Sequence, residues 1–333
     1  MTQVHCPYKN KCGGCLYLDM PTDAYVQKKI DFIKNAFSHE NINIEPDEFI
    51  IIPFGLRRRV TFAFNKSIVG FNKQKSHEII PMDMCPAIKK ELSDMLIPLQ
   101  HLTKELRKKG DISLLSTDHG IDIHIKTGKE SPSLNERMIL ADFAVSHPQL
   151  VRLTYNNEPI VEKIPLPFKP DIFLQPSKEG ENALIQEALS SFQNEKKVAD
   201  LFCGTGTFTK PLLEKGILAT GYDSAGDSVA LLNKNGIKRD LFRNPLTARE
   251  LNEFDGVVLD PPRAGALAQV QELSKSDIKK IVMISCNPIT AARDSALLIK
   301  SGFNIKRIVG IDQFIYTNHV EIICHFEKLS CNQ

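Results

Sequence analysis

The chain has 333 residues, 42% hydrophobic and 25% charged, with a formal net charge of +2. That length allows two domains and a sizeable core, and the composition is that of an ordinary globular protein. The charge is too small for binding nucleic acid by bulk attraction, so any such surface must come from local basic clusters. Met1–Lys11 lacks the apolar segment of a signal peptide, and no uncharged apolar run approaches the roughly 20 residues that span a bilayer. A cytoplasmic monomer without membrane contact is therefore expected. Its eight cysteines should be reduced, and ligand or catalytic duty suits them better than disulfide bonding.

In chain order, Val60–Phe64, Ile68–Phe71 and Ile121–Ile125 read as strands. Lys89–Lys109 reads as one or two helices carrying Leu92, Met95, Leu96, Leu99 and Leu102 at helical spacing. Ile164-Pro-Leu-Pro-Phe-Lys-Pro170 continues neither element, because proline removes a donor and restricts its predecessor. It marks a junction, giving units of 1–168 and 169–333. Beyond it the pattern is regular: helix Gly180–Phe192, strand Val198–Phe202, a glycine turn with a helix to about Lys215, strand Ile217–Tyr222 and helix Gly226–Asn235. Strands Gly256–Leu259 and Ile281–Ser285, helix Thr290–Lys300, and strands Asn304–Val309 and Val320–Phe326 follow. Such alternation implies an α/β unit with a mostly parallel sheet covered on both faces.

The strand ends carry the chemistry. Asp200-Leu-Phe-Cys-Gly-Thr-Gly206 closes the first strand of the second unit, and Gly204 and Gly206 let the backbone approach a ligand. The next strand ends in Gly221-Tyr-Asp223, a carboxylate suited to ribose hydroxyls. A dinucleotide fingerprint would need a third glycine, but Phe208 follows Thr207, which argues against NAD. Asp240 reads equally as a contact near an adenine and as a solvated turn residue. Asp260-Pro-Pro-Arg263 stiffens the chain just past another strand and aims Asp260 into the cleft.

Ser285-Cys-Asn-Pro288 puts Cys286 at the next strand end. A thiolate is a strong nucleophile and a competent leaving group, suited to adding to carbon 6 of a pyrimidine so that carbon 5 becomes reactive. A base must later remove the carbon 5 proton, and in His319-Val-Glu321 the better candidate is Glu321. Cys6, Cys12, Cys15 and the distant Cys85-Pro86 supply four thiolates for a structural zinc or an iron–sulfur cluster, the spacing leaning to the cluster.

Together these motifs, with Phe173-Leu-Gln175, resemble the RNA uracil-C5 methyltransferase family from Cys6 to Glu327, most closely the bacterial 23S rRNA enzymes in a short form without an N-terminal β-barrel RNA-binding domain. The resemblance implies a Rossmann-like sheet that binds S-adenosylmethionine at the C-terminus, preceded by an α+β iron–sulfur and RNA-binding domain. It implies a 4Fe–4S cluster on Cys6, Cys12, Cys15 and Cys85, Cys286 as nucleophile and Glu321 as base. Gln175, Phe202, Asp223 and Asp260 match the family's cofactor-binding positions, with Asp260 also near the target base. Family members usually carry Glu where Asp223 stands, and often Asn where Thr207 stands.

RNA, most directly 23S rRNA with its target uridine single-stranded or flipped out, is the expected partner. A tRNA uridine is the second reading. The third is a non-catalytic iron–sulfur factor in ribosome assembly. Arg57–Arg59, Lys73 with Lys75, and Arg107–Lys109 are candidate phosphate contacts. Phe54, Phe62, Phe64 and Phe71 interleave with them, as strand core more readily than as a stacking surface.

Overall fold

A computed structural model describes residues 4–128 and 130–328; Cys331 and the outermost ends of both expected units lie outside that span. The chain opens with a loop carrying the first three cysteines, then α1 (Thr22–Ser38) and β1 (Glu48–Ile51). Helix α1 buries Tyr25, Lys29, Ile33, Ala36 and Phe37, the three-to-four-residue stripe of a helix lying on a core. Next come β2 (Arg59–Asn65), β3 (Ile68–Asn72), β4 (Ile79–Pro81), α2 (Lys90–Ser93), α3 (Leu96–Leu106), β5 (Lys109–Thr117), β6 (Gly120–Lys126), α4 (Leu134–Ser146), β7 (Leu150–Tyr155) and β8 (Glu158–Glu162). The expected helix over 89–109 is thus two helices, stopped where Arg107 turns left-handed at φ 53° and leads into β5.

Strands β2 to β8 form a seven-stranded sheet in the order β4-β3-β2-β5-β6-β7-β8, antiparallel except for β6 and β7. That parallel pair needs a crossover, which α4 supplies. Phe62 and Phe64 are fully buried beneath the sheet, and Phe71 packs on Phe62 with ring centres 5.0 Å apart. The interleaved aromatics of this sheet are core.

The second half runs α5 (Lys178–Ser190), β9 (Lys197–Leu201), α6 (Thr209–Glu214), β10 (Leu218–Asp223), α7 (Gly226–Val229), β11 (Gly236–Lys238), α8 (Ala248–Leu251), β12 (Gly256–Leu259), α9 (Leu267–Lys275), β13 (Lys280–Ser285), α10 (Pro288–Lys300), β14 (Phe303–Asp312) and β15 (Glu321–Lys328). Its sheet has the order β1-β14-β15-β13-β12-β9-β10-β11. All neighbours are parallel except those of β15, which runs against β13 and β14. Strands β12 and β13 are buried on both faces, which is why they read as continuous apolar runs. The helix expected over 226–235 is one α-turn followed by a 3-10 segment, broken where Asn233 leaves helical geometry.

A cut at residue 168 separates the two sheets in chain order, with one excursion. Strand β1 pairs in parallel with β14, and α1 packs on α10, sending Ile33 and Phe37 into the core of the second sheet. The excursion is fastened by charge. Lys29 and Asp312, 3% and 0% exposed, form an ion pair at 3.3 Å; the Lys29 ammonium also donates to the His319 carbonyl, and the Tyr25 hydroxyl donates to Asp312. The Tyr25 oxygen in turn accepts the Tyr316 N–H at 2.8 Å, and Asp312 accepts the Phe314 N–H at 3.1 Å.

Truncating one partner of this pair strands a buried charge. Lys29→Met should lower stability by about 3–5 kcal/mol, and K29M/D312L together should cost less than either alone. Denaturant midpoints of the three variants measure this; equal midpoints for K29M and the wild type would refute it.

Candidate active site

Parallel strands of one sheet point their carboxyl ends the same way, so the register brings distant motifs to one edge. Leu201 of β9 lies beside Leu259 of β12 and Tyr222 of β10, and Leu259 lies beside Met283 of β13. Phe202, Asp260 and Cys286 stand just past three of these strand ends, and Asp223 is the last residue of β10. Strand β15 is antiparallel, so it offers its first residue to the same edge: Ser285 faces Ile322, which sets Cys286 opposite Glu321. On the other side of β15, Glu321 faces Ile311 of β14, and Gln313 follows two residues later.

The edge gathers groups of one sign in a poorly solvated place. Glu321 is 6% exposed, and burial pushes its carboxyl up to about 7, with Gln313 and Arg263 opposing. Asp260 is raised well above the ordinary carboxyl range, first by desolvation and then by Glu321 and Asp200. Its N–H donates to the Leu201 carbonyl at 3.1 Å, pinning it to the end of β9. Burial and the charges of Glu321 and Asp260 push the half-buried Cys286 thiol up to about 11, and Arg263 pulls it back. Asn287 caps α10 by accepting the Ile289 N–H at 3.2 Å and donates to the Arg263 carbonyl at 3.1 Å, so the Cys286 turn and the Asp260 loop are tied together.

The glycine turn fits an adenosyl ligand. Phe202, Gly204 and Gly206 all take positive φ (64°, 53° and 90°), a sharply folded turn that costs the non-glycine Phe202 strain. A Cβ added at Gly204 would meet nothing within 4 Å, so that glycine faces open space; one at Gly206 would meet Leu232 at 2.3 Å. Asp223 accepts the Gly204 N–H at 3.0 Å and the Ala225 N–H at 2.8 Å, and its carboxylate keeps lone pairs for a ligand. Asp240 Oδ1 accepts the Phe242 and Arg243 N–H groups, the turn chemistry that was its other reading. The turn brings Phe242 onto Phe202, ring centres 5.2 Å apart.

Gln175 is buried, and its Oε1 accepts from Gln313 Nε2 at 2.9 Å. The same Gln313 nitrogen lies 3.5 Å from Glu321 Oε1, so a chain of amides runs from Gln175 to Glu321. Motif reading missed Gln313 because the strand expected over 304–309 stops short of Asp312, the end of β14. It also gave Asp200 no role. This fully buried acid accepts the Thr209 N–H at 2.8 Å and hydroxyl at 2.6 Å across the glycine turn, and burial raises it to about 7.

Cys6, Cys12, Cys15 and Cys85 line one cavity of about 270 Å³. The Gly14 N–H donates to Cys12 Sγ at 3.3 Å, and Ser93 holds the Cys85 N–H at 2.8 Å. Burial raises the thiols of Cys12, Cys15 and Cys85, the last two to about 12 and about 11. Among the described residues, no three His, Cys, Asp or Glu side chains converge on one point as ligands of a single metal ion. The loop is clipped to the active-site side: the Leu16 and Tyr17 N–H groups both donate to the Tyr316 carbonyl, at 2.7 and 3.2 Å.

Each arginine of the run Arg57–Arg59 has contacts within the protein. Arg58 is buried and donates to the Gln175 carbonyl at 2.9 Å and Glu181 at 2.6 Å, Arg59 lies over Phe173 at 5.3 Å, and Arg57 over Phe314 at 5.6 Å. These guanidinium groups fasten the small sheet to the segments that line the active site.

Residues 235–329 match the sequence model of a family described as tRNA (uracil-5-)-methyltransferase. An uncharacterized RNA methyltransferase of Brucella suis is 34% identical over 97% of this chain and 84% of its own. A 23S rRNA (uracil(1939)-C(5))-methyltransferase of Shewanella frigidimarina is 30% identical over 97% of this chain and 82% of its own. The chain belongs to the RNA uracil-C5 methyltransferase family. The fold agrees: Pyrococcus abyssi tRNA (uracil-54, C5)-methyltransferase, solved with S-adenosyl-L-homocysteine, superposes with a TM-score of 0.73 at 22% identity, covering 95% of this chain and 86% of that one. This uracil-C5 methyltransferase is S-adenosylmethionine-dependent and acts on RNA.

An adenosyl ligand over the glycine turn makes Gly204→Ala informative. The added methyl has room in the empty fold, so the thermal midpoint should hold within a few degrees, the left-handed backbone costing about 1 kcal/mol. The same methyl intrudes on the ligand's space, and calorimetry should find S-adenosylmethionine binding weakened by roughly tenfold or more. Unchanged affinity would place the cofactor elsewhere.

Proposed function

We propose that this enzyme methylates carbon 5 of a uridine in 23S rRNA through a transient bond between Cys286 Sγ and carbon 6 of the ring. The observation that carries it is the meeting of Cys286, Asp260 and Glu321 at one sheet edge, beside a glycine turn with open space above it. The ribosomal rather than tRNA substrate is favoured by the Shewanella relative, a 23S rRNA methyltransferase that aligns over 82% of its length. Mapping 5-methyluridine in rRNA and tRNA with and without the protein tests the assignment; a mark lost from tRNA alone would transfer it.

Bound S-adenosylmethionine supplies an electrophilic methyl group. Gln175, Phe202, Gly204 and Asp223 form its cradle, and Asp260 stands between that cradle and the base. Asp240 belongs to the cradle through Phe242, which its turn holds against Phe202. Asp260, held protonated by its surroundings, donates a hydrogen bond to the uracil edge. Cys286 gives up its proton to solvent, a change Arg263 favours, and the thiolate adds to carbon 6 while the ring's electrons move to the carbonyl oxygen. Carbon 5 then takes the methyl group. Glu321 removes the remaining carbon 5 proton, the double bond re-forms and Cys286 leaves with its bonding pair.

The first unit, residues 1–168, holds a 4Fe–4S cluster on Cys6, Cys12, Cys15 and Cys85 in this reading. Four thiols lining one cavity of about 270 Å³ are the donor set that such a cluster takes. The cluster would staple the N-terminal loop, β3 and α2 around the RNA-facing side; Cys12 already bridges to Lys73 at the end of β3. Its reduced thiolates fit a cytoplasmic setting.

Cys286→Ala should lower 5-methyluridine formation by at least about a thousandfold, whereas Glu321→Gln should stall after methyl transfer and accumulate a protein–RNA adduct on denaturing gels. An amino-group methyltransferase would tolerate C286A.

Because the base acts ionised and lies near 7, adduct resolution should speed up as pH rises through about 7 and then level off. Gln313→Leu removes a contact that lowers the Glu321 carboxyl, so the midpoint should move upward. Single-turnover decay of the adduct from pH 5.5 to 9 reads both effects; an unmoved midpoint would remove Gln313 from the reaction.

A further inference from the structure

One side chain faces both the four-cysteine cavity and the loop that delivers Glu321. Arg57 lines the cavity, and its charge acts on Cys15 and Cys85. Its guanidinium also lies 5.6 Å from the ring centre of Phe314, and that ring stacks on His319 at 5.5 Å. Arg57, Phe314 and His319 thus form a column running from the cysteines to within two residues of Glu321. The loop beside the column is the one already clipped to the cysteine loop through the Tyr316 carbonyl.

The column has a defect. Arg57 Nη2 is buried with no hydrogen-bond partner, whereas its neighbour Arg58 finds acceptors in the Gln175 carbonyl and Glu181. A buried guanidinium N–H without an acceptor is costly, and such groups mark places where something is to be bound. The hydroxyls on the cavity wall are taken: Tyr8 donates to Asp83, and Thr61 pairs with Ser113 at 2.9 Å. What the cavity offers in quantity is sulfur.

We propose that Arg57 is a positioning residue that couples the iron–sulfur cluster to the catalytic loop, its Nη2–H donating to a sulfur of the cluster while its face supports Phe314. The inference rests on the cluster reading given above. With the cluster in place the guanidinium plane is fixed, and the Phe314–His319 segment is ordered for RNA. Without it, Arg57 loses its acceptor and the segment loosens. The cluster then serves the reaction as a structural element, at a distance from the methyl group and with no electron transferred.

The test compares wild type, Arg57→Lys and Arg57→Met, each purified anaerobically, for iron and sulfide content, cluster loss to a chelator, cluster reduction potential, amide exchange over residues 313–320, and RNA affinity across salt concentrations. Wild type should carry the cluster. R57M should lose it to chelator roughly tenfold faster and exchange its 313–320 amides roughly tenfold faster, one charge-assisted hydrogen bond being at stake. Its potential should fall, because a donor to sulfur favours the reduced state. R57K, which keeps the charge without the planar fork, should fall between and guards against a misfolded R57M. Cluster-free wild type should exchange residues 313–320 as fast as R57M.

A wild type without iron would sink the cluster reading and this inference together. A clustered wild type matched by R57M in chelator rate, potential and exchange would sink the Arg57 inference alone. A change confined to RNA affinity and its salt slope would overturn it in favour of a phosphate contact.

Discussion

The repulsion among Asp260, Glu321 and Cys286 sets the terms for this active site. Each group is held partly by desolvation and partly by the others: Glu321 and Asp260 raise the thiol, and Glu321 and Asp200 raise Asp260. Such a set cannot all be ionised at once. Some members keep protons at neutrality, and the proton positions follow from the environment rather than from residue type. In the proposed reaction a donor (Asp260), a nucleophile awaiting activation (Cys286) and a base near 7 (Glu321) are the same chemistry divided by burial. A bound sulfonium adds a positive charge at this edge, which favours the anionic forms when they are needed.

That repulsion persists only because the scaffold gives the groups no way apart. The antiparallel β15 lies between β13 and β14, so Glu321 has Cys286 on one flank and Gln313 on the other. The loop leading into β15 is fixed from the far side of the molecule by Tyr25 and Lys29 of α1 acting on Asp312 and the His319 carbonyl. A helix from the beginning of the chain thereby sets the position of a base near its end. Arg58, just before β2, does the same for the opposite flank by donating to the Gln175 carbonyl. The N-terminal half is thereby a jig for the catalytic edge.

The strand ends of the second unit were legible in the sequence because fully buried parallel strands read as unbroken apolar runs, and motifs at their carboxyl ends stand out as polar breaks. Asp260 and Cys286 stand at such breaks, whereas Glu321 opens the antiparallel β15 and was singled out by the need for a base. The first unit was harder. Strand β7 is wholly buried yet contains Arg152, whose charge is met by Asp122 on β6 at 2.6 Å, so no apolar run announces it. Helix α1 and β1 left no motif, and nothing local says that β1 belongs beside β14, 261 residues away by the Glu48–Val309 and Ile51–Asp312 pairings. The burial of Arg58 was hidden for a related reason: in a basic triplet it looks solvated until tertiary structure supplies Glu181 and the Gln175 carbonyl as partners.

Spending these arginines internally bears on how RNA arrives. The net charge is only +2, and Arg57, Arg58 and Arg152 are committed to stacking or pairing inside the protein. The catalytic edge itself is acidic. Burial without a paired cation disfavours a phosphate there, whereas a uracil ring is neutral and offers hydrogen-bonding edges. The site therefore discriminates by depth: the backbone must stay at the rim, where the exposed Arg263 stands, while the flipped base enters among the acids.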